Sequence, residues 1–239
     1  MWRSRHFPSY DIIRMLDTVP MTPTLAMLPS TPGTRLLIEL ASYAEDLSEA
    51  GEALELAFEA GPGSSCWLPL TNAAVVAYMR AFGRSDARGD LAAHIELPED
   101  LHETHAMIRD YRNRSVAHSQ SGLSMSLALA HLGTDGRVAT VRAMTVRHAL
   151  PAHTATRVAD AVERIEAMLA ERIQTLSDAL AAEFREVSAH TVAAWTSPII
   201  EHRLAEQFSG RSRRGSRPQF TMYWETEDIS PADAETPHE

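Results

Sequence analysis

The chain contains no lysine: all 22 of its basic residues are arginine. A Schiff-base lysine and the lysine of a phosphate-cradling loop are therefore excluded, even though codon bias alone would explain the composition. Cysteine is almost as scarce. Cys66 stands alone, which excludes an internal disulfide and a cysteine-rich zinc site. Aromatic residues make up only 6%, and alanine and leucine take their place, a balance that favours helix over sheet. No apolar run approaches the ~18 residues that a membrane span requires. Arg3, Arg5 and His6 precede no apolar stretch, and Pro8, Pro20, Pro23, Pro29 and Pro32 punctuate the first thirty-odd positions. That start does not have the form of a signal peptide, and the expectation is a cytoplasmic protein with no membrane partner.

What is there suffices for one sizeable domain with appendages: 239 residues, 44% of them hydrophobic. The net charge of −10 argues against a wholly basic nucleic-acid binder. The acid is unevenly placed, because Glu225 to Glu239 carries many carboxylates and no arginine. Without that end the body is closer to neutral, and RNA stays open as a partner.

Residues 1–33 read as a loose, proline-rich arm. A helix is expected from about Thr34, as N-cap, to Ala60, with Leu36, Leu40, Tyr43, Leu47, Leu54 and Phe58 on one face. A second runs from about Cys66 to Gly83, with Ser65 as cap and Pro69 in its first turn. Pro98 opens a third, through His105, Ile108 and Tyr111 towards His118, and the acids Glu99 and Asp100 at its start suit the helix dipole. Two apolar runs flanking Gly133-Thr134-Asp135-Gly136 predict a β-hairpin over about 124–147. Val158, Val162, Ile165, Leu169, Leu176, Leu180, Phe184 and Val187 then predict a helix from about Pro151 to Ala194. A helix of that length spans ~60 Å, so it must bend, break or lie against a partner. Ser197-Pro198 is expected to cap a short helix to Phe208 or Ser209, closing a domain over 34–209. Residues 210–239 read as a disordered tail, basic at Arg211, Arg213, Arg214 and Arg217 and then acidic. Its arginines suit either an RNA-contact arm or a solvated counterweight to the acidic end.

The densest chemistry lies in Arg112-Asn113-Arg114-Ser115-Val116-Ala117-His118. Arginine is permanently charged and forks onto phosphate oxygens; histidine moves protons near neutral pH. On a regular helix Arg114 and His118 are neighbours, whereas Arg112 and His118 lie roughly 120° apart. Facing one cleft would take a frayed helix or a second copy of the chain, which points to a dimeric site.

The run resembles the motif of the HEPN superfamily, an arginine followed after four to six residues by a histidine. Arg112, Asn113, Arg114, Ala117, His118 and Ser119 match in order the form found in its abortive-infection U-type branch. The upstream Leu101-His102-Glu103 to Ile108-Arg109-Asp110-Tyr111 is similar to the helix leading into that motif. The resemblance implies a mainly α fold, an antiparallel helical bundle, here with an inserted β-hairpin and a long C-terminal helix, that forms a homodimer through the motif helix. It implies a metal-independent endoribonuclease, often a toxin or phage-defence effector, with RNA as substrate and a cognate antitoxin as a candidate partner. Carried over, His118 is the general acid or base, Arg112 holds the scissile phosphate, and Asn113 orients the histidine or the phosphate. Arg114, Arg109 and Ser119 would bind RNA. The product would be a 2′,3′-cyclic phosphate, and no cofactor or metal is required. Other members are inactive modules that bind RNA, nucleotide or a partner protein, and that is the competing reading. A plain structural protein would make the run accidental.

Rival sites are weaker. His102 and His105 stand three apart and could share a metal, but no third ligand is suitably spaced. Cys66 has no histidine at motif distance, and Ser64 and Ser65 lack a nucleophile elbow.

Overall fold

The computed structural model describes residues 25–84, 88–116, 122–198, 200–207 and 220–224. They are mainly helical and group into two compact units, the first running from Thr31 to Phe184.

Helix α1 spans Pro32–Ala60. It starts two residues earlier than expected, and Thr31 rather than Thr34 is its cap. The Thr31 hydroxyl accepts from the Thr34 N–H at 3.1 Å, and the Thr34 hydroxyl accepts in return from the Thr31 N–H at 2.8 Å. Threonine at both ends of this box, with proline preset at the first helical position, makes 31 the better start. The buried side chains Leu40, Tyr43, Leu47, Ala50, Leu54 and Ala57 succeed one another at spacings of three and four. Phe58 falls off this stripe: it is exposed, with its ring edge-on to Trp67. Gly61 ends the helix at φ +82°, where a side chain would be strained.

Helix α2, Trp67–Ala81, packs closely on α1, and its Ala74, Ala77 and Ala81 are fully buried. Ser65 does not cap it; the Ser64 hydroxyl accepts from the Cys66 N–H instead. The Trp67 indole donates to the Leu150 carbonyl at 2.8 Å and so ties α2 to the segment before the last long helix. Helix α3, His102–Tyr111, comes after a 3₁₀ turn at Glu99–Leu101. Strands β1, Ser124–Leu132, and β2, Val138–Arg147, form the predicted antiparallel hairpin, with Gly136 at φ +73° in its turn. Its residues are almost all exposed, and Met125, Leu127, Leu129 and Met144 share one apolar face.

Helix α4, Ala152–Arg185, buries Val158, Val162, Ile165 and Leu169 in the same core cluster as the inward faces of α1 and α2. It runs antiparallel to α1. A Cβ on Gly51 would meet Val162, and one on Gly33 would meet Leu180, 18 residues back along α1 and 18 forward along α4. The helix does not reach Ala194. Of the ways to accommodate so long a stripe, the chain breaks, and Ser188 caps a separate short helix α5, Ala189–Ala193, by accepting from the Thr191 N–H at 3.2 Å.

In the second unit the Met27 N–H donates to the Thr196 carbonyl at 2.8 Å. The helix expected after Pro198 is instead strand β3, Ile200–Leu204, parallel to β4, Phe220–Trp224. Ile200, His202 and Leu204 alternate with Glu201 and Arg203, a period of two that the proline-first reading overrode. Strand β4, rich in aromatic residues, lies inside the stretch expected to be a disordered tail. The rest of that tail, with its Arg211–Arg217 cluster and acidic end, and residues 1–24 of the arm lie outside the described residues.

One side chain of α4 conflicts with its surroundings. The Glu166 carboxyl is pushed up to about 7, first by burial and then by the charges of Glu163 and Glu52. The folded chain therefore holds a proton that the unfolded chain releases near 4.5, so stability declines as pH rises from there through 7. Glu166→Gln should raise stability at pH 8 by about 1–2 kcal/mol, roughly 3–5 °C in melting temperature. The gain should vanish near the carboxylate's ordinary pKa, as thermal melts at the two pH values will show.

Candidate functional site

The motif is carried by the end of α3, and α3 is held at both ends. At its start Arg164 of α4 makes a two-pronged pair with Asp100, and Arg157 reaches the Thr104 hydroxyl at 3.0 Å and Glu103 at 3.3 Å. Leu101, Thr104, Ile108 and Tyr111 turn inwards. At its end the Tyr111 hydroxyl donates to the Asn72 side-chain oxygen of α2 at 3.0 Å and lies 3.5 Å from the His148 carbonyl. The residue just before the motif is thus buried and bonded to another helix.

From Arg112 to Val116 the backbone widens into a π-helical turn. Such turns wind more loosely than an α-helix, so the regular α-helical step assumed for the motif does not hold from Arg112 to Val116. Arg112, Asn113 and Arg114 are exposed, while Ser115 and Val116 are half-buried. The Arg112 Nη1 donates to the Asn113 Oδ1 at 3.0 Å. Arg109 is also exposed, one turn earlier on α3. The structure therefore brings Arg112 and Asn113 together, with Arg109 and Arg114 on adjoining surface. His118 and Ser119 lie outside the described residues.

Beside Arg112 is an open cleft of about 370 Å³. Val76 and Met79 of α2 form its apolar side, and Arg80, Arg84, Arg88 and Arg112 supply the charge. The sequence reading missed the three α2-side arginines. They recur every fourth residue, at 80, 84 and 88, a signal that was there to find. They differ in role. Arg88 is largely buried: it pairs with Asp46, donates to the Ser42 and Arg80 carbonyls at 2.9 Å, and lies 4.9 Å from the Tyr43 ring centre. Arg80 bonds Asp46 through Nε at 2.9 Å and Glu49 through Nη2. Arg84 is exposed, and neither it nor Arg112 has a carboxylate within ion-pair distance among the described residues.

Asp46 is 8% exposed and accepts from two guanidinium groups. Two turns earlier on α1, the Glu39 carboxylate accepts from the Gly89 N–H and the Tyr43 hydroxyl, each at 2.8 Å, and those bonds hold its pKa down. Tyr43 is pushed the opposite way, first by burial, and stays a donor. The segment next to Arg88 is thereby fastened to α1.

A scan of family models, a search of curated proteins and a search of solved structures found no match to this chain.

The two histidines of α3 part company. His102 Nε2 lies 3.0 Å from the Leu97 carbonyl, and His105 Nδ1 lies 3.1 Å from the Tyr78 hydroxyl with its ring edge-on to Phe82. Burial, then the charge of Arg109, lowers the His105 pKa, which favours its neutral form. No group of three histidine, cysteine, aspartate or glutamate side chains suited to a metal occurs among the described residues. Cys66 is exposed at the start of α2.

Asp46→Ala should cost about 3 kcal/mol, because it strips a largely buried guanidinium of its carboxylate. Urea unfolding monitored by circular dichroism will measure the loss, and Asp46→Asn should recover only part of it.

Proposed function

We propose that this chain is a HEPN-type, metal-independent endoribonuclease working as a homodimer through the motif helix. The observation that carries the reading is Arg112: a solvent-facing guanidinium without a carboxylate partner among the described residues, bonded to the Asn113 amide and opening on an arginine-rimmed cleft. One N–H is spent on Asn113, and the remaining donors are free to fork onto phosphate oxygens. A structural arginine in this position would be expected to find an acid, as Arg80 and Arg88 do.

The chemistry needs little more. His118 as base takes the proton of a ribose 2′-hydroxyl. The 2′-oxygen attacks the adjacent phosphorus, and the 5′-oxygen of the next nucleotide leaves with a proton, giving a 2′,3′-cyclic phosphate. Arg112 offsets the charge that grows on the phosphoryl oxygens, and Asn113 limits the rotamers open to that guanidinium. Arg109, Arg114 and Ser119 extend the RNA contact. A toxin or phage-defence effector restrained by a cognate antitoxin would use such a site, and the α-helical bundle with its hairpin is the HEPN-like frame of this reading.

Purified protein incubated with total RNA in EDTA should release fragments ending in a cyclic phosphate. His118→Ala and Arg112→Ala should each lower the rate at least about 100-fold. Arg112→Ala should leave the melting temperature within about 1 °C, since that side chain is exposed. Cleavage abolished by EDTA would sink the metal-independent mechanism. Full-length RNA after incubation with the wild type would favour the inactive binding module.

A further inference from the structure

The cleft at the end of α2 holds more positive charge than one scissile phosphate needs. Of its four arginines, Arg80 and Arg88 are engaged by Asp46 and Glu49, so those four groups sum to no net charge. Asp46 is shielded, with a side chain only 11% exposed. Arg84 and Arg112 remain, two cations with no acid beside them among the described residues. Arg84 is exposed and makes no hydrogen bond or ion pair there, so packing gives no reason for its charge. Val76 and Met79 supply an apolar side on the same cleft. An apolar wall edged by guanidinium groups has the chemistry of a nucleotide site: phosphate at the rim, base or ribose against the wall. Its volume, about 370 Å³, is in the range of small-ligand sites.

We propose that this cleft binds a nucleotide flanking the cleavage point in single-stranded RNA, with Arg84 gripping a phosphate other than the one held by Arg112. Arg80, fixed by its two carboxylates, forms a rigid side of the groove. The identity of the ligand as RNA rests on the ribonuclease reading; the cationic cleft does not. Arg84 is a substrate-binding residue and takes no part in bond making or breaking.

The test uses the full chain and a fluorescein-labelled, 2′-O-methylated oligoribonucleotide, which lacks the attacking hydroxyl and cannot be cleaved. Arg84→Ala should weaken binding about five- to twentyfold at low salt and reduce the salt slope of the affinity by about 1. Arg142→Ala, removing an exposed arginine of the hairpin, should change the affinity less than twofold. Both variants should melt within about 1 °C of the wild type. On cleavable RNA, Arg84→Ala should raise KM and leave kcat unchanged. AMP in a parallel titration separates a strand from a free nucleotide: AMP bound as tightly as the oligomer, and lost with Arg84, would overturn the RNA assignment. Equal affinities for Arg84→Ala and wild type, or an equal loss in Arg142→Ala, would overturn the subsite. Wild-type cleavage with Arg84-independent binding would sink this proposal and spare the nuclease. Arg84-dependent binding with no cleavage by the wild type would sink the nuclease, and with it the cleavage point, and leave standing only the Arg84 phosphate subsite.

Discussion

The structure depends on the buried stripe of α1, which the hydrophobic core is built around. Residues 40, 43, 47, 50, 54 and 57 of α1 are all enclosed, in one hydrophobic core with buried residues of α2 and α4. Spacings of three and four put them on one stripe of the helix. Small residues are part of that core: Ala74, Ala77 and Ala81 of α2 are fully buried, and a Cβ on Gly51 of α1 would touch the Val162 side chain. Ile108 and Tyr111 of α3 are buried in that same core. The motif comes directly after Tyr111 in the chain, so its position is a consequence of core packing.

The chain then uses charge at the edge of this core. Asp46 lies on α1 a single residue from the buried Leu47, and it is tolerated there because two arginines reach it. In return it holds the end of α2 and the segment after it in one arrangement. A buried carboxylate is an expensive way to make a connection, but it also lays guanidinium groups along one side of a groove. Glu166 shows the contrary case, a half-buried acid on α4 with acids for neighbours and a pKa raised accordingly. Placement of charge is thus resolved at the cleft and left unresolved on α4.

Much of the helical frame was legible because it rests on periodicity and punctuation. The Asp135-Gly136 pair announced the hairpin, and Gly136 does adopt the positive φ that only glycine accepts easily. The apolar stripe of α1 was nearly right, missing on Phe58, which one further turn carries to the surface beside Trp67. The ends were harder. Thr31 and Thr34 are both good caps, and only the reciprocal bonds between them decide which is outside the helix. Ser188 resembles many serines, so the break in the last long stripe was hidden in the heptad pattern. For β3, a proline just upstream outweighed a short alternation of type, and the partner strand that stabilises it lies 20 residues away at Phe220.

By itself the sequence determined the residue types available for chemistry, the helices and the hairpin, because these rest on local spacing and on backbone preferences of single residues. It singled out Arg112 and Asn113, which the fold does present side by side at the surface. Only the tertiary structure decided that Arg80 and Arg88 would be neutralised while Arg84 and Arg112 would not. Asp46 and Glu49 are more than thirty residues from Arg80 along the chain. No local rule pairs groups that far apart: which charges meet is set by the packing of α1 against α2, and packing is a property of whole helix faces.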